Sequence, residues 1–167
     1  MTGEENRDAV PSASRDEAVF ASLYPALRRF AAVVGAYNDD PDDLVQEALA
    51  RVLAVGGLSV ARDPGAYLRT AIVRLASNDR RRVARGQKTL GRLTGSHDET
   101  PQYPSDLADL LRLSPVDRAV VYLAVIEGMA HKDIAAQLSL SEWAVRKRAS
   151  RALRRLRADL LEETDID

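Results

Sequence analysis

Met129-Ala-His-Lys-Asp-Ile-Ala-Ala-Gln-Leu-Ser-Leu-Ser141 runs directly into Glu142-Trp-Ala-Val-Arg-Lys-Arg-Ala-Ser-Arg-Ala-Leu-Arg-Arg-Leu-Arg157. Ile134, Ala135 and Leu138 share one helical face. Ser141 is placed to cap a second helix, along which Val145, Ala149, Ala152, Leu153, Leu156 and Leu160 extend an apolar stripe at three- and four-residue steps. The stretch therefore reads as a helix, a tight turn and a second helix. That second helix carries Arg146, Lys147, Arg148, Arg151, Arg154, Arg155 and Arg157 with no acid among them. A cationic helix behind such a turn fits a DNA major groove, which directs attention to nucleic acid rather than to a small-molecule pocket.

Charge elsewhere is segregated. Lys and Arg number 24 against 25 Asp and Glu, so the 167 residues carry a formal net charge of -1. Acids cluster at the start (Glu4, Glu5, Asp8) and at the end (Glu162, Glu163, Asp165, Asp167), while Arg80, Arg81, Arg82, Arg85, Lys88 and Arg92 form a second basic stretch. Cysteine is absent, and the two histidines, His97 and His131, are too far apart in sequence to mark a metal site. No phosphate loop and no nucleophile–base pairing is present, so neither an enzyme nor a bound cofactor or metal is expected. No apolar run approaches a bilayer span, and a cytoplasmic protein without membrane insertion is the expectation.

Upstream the period is helical throughout. Phe20, Leu23, Tyr24, Leu27, Phe30, Ala31 and Val34 make one amphipathic stripe, with Pro25 a possible kink or late start. Asn38-Asp-Asp-Pro41 reads as a turn and cap before Leu44, Val45, Ala48, Leu49, Val52 and Leu53. Pro64 begins a third helix with Tyr67, Leu68, Ala71, Ile72 and Leu75 inward and Arg69 and Arg74 outward. Turn composition from Gly86 to Ser105 marks a linker. Beyond it Leu107, Leu110 and Leu111 precede Ser114-Pro-Val-Asp117, a capped start for the helix of Ala119, Val120, Leu123 and Ala124, which ends near Gly128. The expected fold is all-α, with two small helical domains joined by a flexible linker. Its divisions are a disordered tail over 1–15, a first domain over 16–85, a linker over 86–105, a second domain over 106–161 and an acidic tail over 162–167. The tail either screens the basic helix or merely solvates its end.

Two motifs then coincide. Asp42-Asp-Leu-Val-Gln-Glu47, followed by Ala-Leu-Ala-Arg-Val-Leu53, resembles the polymerase-docking segment of sigma-70-type factors, and Leu113-Ser-Pro-Val-Asp-Arg-Ala-Val-Val-Tyr-Leu123 through Arg157 resembles their promoter-reading domain. With a short linker and no domain between, the chain resembles an extracytoplasmic-function sigma factor across roughly residues 17–158. The resemblance implies that Asp43, Gln46 and Glu47 meet the clamp coiled coil of the largest subunit of bacterial RNA polymerase core, with the flap of the second-largest subunit as a further partner. It implies minus-ten DNA contacts for Arg69, Arg74, Asn78, Arg80, Arg81 and Arg82, and a flipped-base pocket in the loop from Gly56 to Asp63. It likewise implies minus-thirty-five contacts for Arg146, Lys147, Arg148, Ser150 and Arg151. Promoter DNA and an anti-sigma protein are the remaining implied partners.

Taken alone, the acidic stripe also fits a solvated helix face, and the arginines a solubilised helix end. A stand-alone helix-turn-helix regulator would account for 129–157 but leave Asp43 to Glu47 without purpose, and a helical adaptor binding an acidic protein would use only the basic faces. The chain departs from the family at Ala124, where a phosphate-binding arginine is common, and at Ala144, where threonine is usual. Ala130 replaces a capping serine and Ser139 a turn glycine. Trp143 is unusual at the start of the reading helix; stacking on a sugar and packing between the two helices are its two readings, and packing is the expected one.

Overall fold

A computed structural model of the chain describes residues 12–35, 39–58, 61–90 and 110–164; His97, Leu107, positions 1–11 and 165–167, and most of the expected linker lie outside them. Every regular element among the described residues is helical. In chain order these are α1 (Ser12–Val34), α2 (Pro41–Ala54), α3 (Pro64–Leu90), α4 (Pro115–Val121) with a π-helical turn over Tyr122–Ile126, α5 (His131–Leu138) and α6 (Glu142–Thr164).

Local chemistry sets the starts. Asp40 caps α2 by accepting from the amide of Asp42, with Pro41 in the first turn, where its missing N–H is no loss. Ser114 caps α4 by accepting from the amide of Asp117 at 3.1 Å, and its hydroxyl donates to the Asp117 carboxylate at 2.6 Å. Ser141 accepts from the amide of Ala144 at 3.2 Å at the head of α6. α5 has no such help, because Ala130 makes no side-chain cap, and its far end closes on Ser139 at φ 54, in the left-handed region.

Three boundaries differ from expectation. α1 begins at Ser12, within the presumed tail, because Asp16 accepts from the amide of Leu58 at 3.2 Å and ties the first turns to the body. It passes through Pro25 as one element, with neither a late start nor a break. α3 runs through Gly86 to Leu90, past the expected start of the linker. A single exposed glycine costs a helix only about 1 kcal/mol, and good helix formers flank this one.

Leu27, Phe30, Ala31 and Val34 of α1 pack with Leu44, Val45, Ala48 and Val52 of α2 and Leu68, Ile72 and Leu75 of α3. That apolar cluster continues without interruption into Ala119, Val120, Leu123, Ile134, Leu138, Val145 and Ala149. The two helical sets thus share a face. Phe30 meets Tyr122 edge-on, ring centroids 5.7 Å apart at 71°.

Candidate nucleic-acid and protein-docking faces

Capping at Asp40 sets the rotation of α2, and with it an outward row of Asp43, Gln46 and Glu47, all exposed. Glu47 accepts from Arg51 one turn on at 2.5 Å. Asp42 points the other way: it accepts from the Tyr24 hydroxyl at 2.5 Å and from Arg28 Nε at 2.8 Å. The Tyr24 hydrogen bond, with Arg28 beside it, holds the Asp42 carboxyl below the usual carboxylate range and outweighs its partial desolvation. This network orients α2 on α1. The four-residue spacing of Tyr24 and Arg28 was its only trace in the sequence.

α3 divides its cations between two surroundings. Arg74, Asn78, Arg81 and Arg82 are exposed, and the first three line a cleft of about 410 Å³ against Leu138, Ser139 and Leu140. Arg69 was expected outward with them, but it lies against the C-terminal helices. Its guanidinium donates to Gln137 Oε1 at 2.6 Å and to both Glu127 oxygens at 3.0 and 3.1 Å, and sits 5.8 Å from the centre of the Phe30 ring. Thr70 beside it donates to the Gln137 carbonyl at 2.7 Å, and Arg80 donates to the Leu113 carbonyl at 2.8 Å. Arg69, Val73, Ala76 and Arg80 recur at steps of four, three and four, a second stripe on α3 next to the apolar one.

The loop after α2 encloses a concavity of about 370 Å³ lined by Val55, Gly57, Ala61, Arg62, Asp63 and Tyr67. Gly57 takes φ +89, and a Cβ there would stand 2.5 Å from the Asp16 carboxylate, so the turn needs glycine on both counts. Tyr67 was expected in the core. It is instead 40% exposed on this concavity, because Leu68, next in sequence, takes the inward position.

On α6 the buried side is Val145, Ala149 and Ala152, with Leu153 and Leu156 half-buried; the side chain of Leu160 lies outside the described ones. Arg146, Lys147, Ser150 and Arg151 are exposed on the opposite side, as their spacing predicts. Arg148 lies on the flank, its Nη1 2.8 Å from the Asp117 carboxylate. Trp143 does not pack between helices. It is 67% exposed, since Val145 fills the inward position of that turn, and the Lys147 ammonium sits 4.5 Å from its ring centroid. The helix continues to Thr164, which carries Glu162 about 18 Å along the axis from Ser150 at 1.5 Å per residue. No helix among the described residues is long and apolar enough to cross a membrane.

Comparison with known proteins meets this geometry at both ends of the chain. The family model for Sigma-70 region 2 matches residues 19–86 and that for Sigma-70 region 4 matches residues 110–156. The RNA polymerase sigma-E factor of Streptomyces avermitilis is 34% identical over 138 residues, covering 77% of this chain and 74% of that protein. The chain belongs to the extracytoplasmic-function sigma factors. As a sigma factor it directs transcription initiation, with RNA polymerase core and promoter DNA as its partners. A solved structure of the sigma factor RpoE in complex with the anti-sigma factor NepR from Bartonella quintana shares its fold. That match has a TM-score of 0.66 at 23% identity and covers 86% of this chain and 95% of that one.

Proposed function

We propose that this sigma factor docks on core polymerase through Asp43, Gln46 and Glu47. In the same reading it reads the minus-thirty-five element with Arg146, Lys147, Ser150 and Arg151, and engages the melted minus-ten strand with Arg74, Asn78, Arg81 and Arg82. The observation that carries this is the joint presence of an exposed acidic and amide row on α2 and an exposed cationic row on α6, inside segments that match region 2 and region 4. The α2 row supplies acceptors for charge-assisted hydrogen bonds from a basic partner such as the clamp coiled coil. The α6 row supplies donors for guanine O6 and N7. A flipped base entering the loop concavity stacks on Tyr67, a contact worth about 1–3 kcal/mol. Arg148 serves the Asp117 pair and touches phosphate at most. The sigma factor performs no catalysis of its own and works in the cytoplasm, where the flap of the second-largest subunit and an anti-sigma protein complete its partners.

Promoter engagement on this reading requires the helical sets to separate. Elements about 25 base pairs apart lie about 85 Å apart along B-DNA at 3.4 Å each. A compact body of this chain length is only on the order of 40 Å across. Arg69, held inward by the C-terminal set, becomes available to the minus-ten strand only after that separation, which also frees the exposed Arg80 from its bond to the Leu113 carbonyl.

Reconstituted transcription with core polymerase on genomic fragments tests the proposal. Glu47→Lys should abolish core association with helicity intact, and Lys147→Ala should leave association intact while start-site selection fails. Specific initiation by both variants would overturn it.

A further inference from the structure

Trp143 is the only tryptophan in the chain, and it stands 67% exposed in the first turn of α6. Tryptophan usually buries most of its area, so an indole left in solvent calls for a partner. Its position on the helix identifies one. At about 100° per residue, Trp143 lies about 20° from Ser150, about 40° from Lys147 and about 60° from Arg146. It therefore sits in the middle of the row proposed to enter the groove. Arg148, which pairs with Asp117, lies on the flank away from it.

The first turn is also held in place. Glu142 pairs with Arg146 at 2.7 Å, and Lys147 rests its ammonium 4.5 Å from the indole centroid, so both links cross one helical turn. The lysine lies over the ring, and most of the indole surface remains exposed. The row then presents donors at Arg146, Lys147 and Arg151 and a single large apolar plate among them. In the major groove those donors match guanine O6 and N7, and the one apolar feature a base pair displays there is the C5-methyl of thymine.

We infer that Trp143 is a specificity-determining residue of the minus-thirty-five interface, in which the indole packs on a thymine C5-methyl and seats Lys147 for the adjoining guanine. This rests on the proposed reading of α6 as the groove helix. Loss of a single methyl contact corresponds to about fourfold in affinity at 0.8 kcal/mol per buried methylene-sized group.

The test uses full-length protein assembled with core polymerase and a pool of duplex promoter fragments randomised across the upstream element. Wild type should select thymine beside guanine at one step, and Trp143→Ala should lose the thymine preference and broaden the guanine one, with Trp143→Phe retaining part of both. In fixed duplexes, replacing that thymine by uracil should weaken wild type about fourfold and leave Trp143→Ala unchanged. Identical selections by wild type and Trp143→Ala overturn the inference and leave the groove reading standing. A uniform loss of affinity with unchanged base preference makes the indole a backbone contact and overturns it equally. Failure of wild type to select any upstream sequence would overturn the groove reading itself.

Discussion

Arg118 of α4 donates through Nη2 to the carbonyl of Val34, the last residue of α1, at 2.5 Å, and to that of Gly35 at 3.0 Å. Its Nη1 reaches Leu113 at 3.0 Å and Leu111 at 3.3 Å. One guanidinium, 3% exposed, thus satisfies carbonyls at the C-terminal end of a helix in one matched region and in the segment that opens the other. Burial and the like charge of Arg80 lower its pKa to about 10, which still leaves it charged at neutral pH.

Replacing this side chain with one of similar length and no donors isolates those bonds. Arg118→Met should lower stability by roughly 2–4 kcal/mol, because charge-assisted bonds are lost and buried carbonyls are left unpaired. Urea unfolding checks the magnitude. Small-angle scattering should show a larger radius of gyration, because the Val34 and Gly35 contacts join the two helical sets; unchanged values in both experiments would show that the guanidinium holds nothing together.

Glu127 and Gln137 hold Arg69, a residue that the family resemblance assigns to the minus-ten strand. The double change Glu127→Ala, Gln137→Ala should shift the packing equilibrium toward the separated form by about 1–2 kcal/mol, or between fivefold and thirtyfold. Amide exchange at the inner face of α3 should quicken, and free protein should gain affinity for single-stranded promoter DNA. Arg69→Ala in the same background should remove that gain.

Both ends of α5 depart from good capping chemistry, and both are correctable. Ala130→Ser supplies the missing cap and should add about 1 kcal/mol. Ser139→Gly removes a left-handed strain of about the same size. The sites lie at opposite ends of the helix and share no partner, so the double variant should gain about 2 kcal/mol by additivity in thermal unfolding.

The helices were legible because their information is local. Asp40, Ser114 and Ser141 cap what their position predicts, and stripes such as Leu44, Val45, Ala48 and Val52 turn inward as their period requires. The exposed α2 row of Asp43, Gln46 and Glu47 and the α6 row could be read for the same reason, since three- and four-residue spacing alone decides a shared face. Arg69 could not be read that way. Its surroundings depend on Glu127 and Gln137, some sixty residues downstream, and a basic residue on a basic helix gives no local sign of an intramolecular partner. Trp143 and Tyr67 failed differently: hydrophobicity argued for burial, but a smaller neighbour, Val145 or Leu68, already filled the inward slot. Gly86 looked like a terminator, although one glycine among good helix formers is too small a penalty to end α3.

Asp42 gives the fold a dependence on acid. Hydrogen bonds from Tyr24 and Arg28 favour its charged form, so its folded pKa lies below the unfolded one. The stability it contributes is therefore fully present above the ordinary carboxylate value near 4 and is lost as pH falls through the depressed folded value. Asp42→Asn keeps one acceptor oxygen for Tyr24 and removes the charge, with an amide NH2 in place of the second oxygen. At pH 7 the variant should unfold at lower urea than wild type, and the two midpoints should converge as the pH is taken below about 4. Midpoints that stay equally far apart across that range would mean that the side chain acts through its shape and not its ionisation. Because the same bonds set α2 against α1, the variant should also bind core polymerase more weakly at pH 7, even though Asp43, Gln46 and Glu47 are untouched.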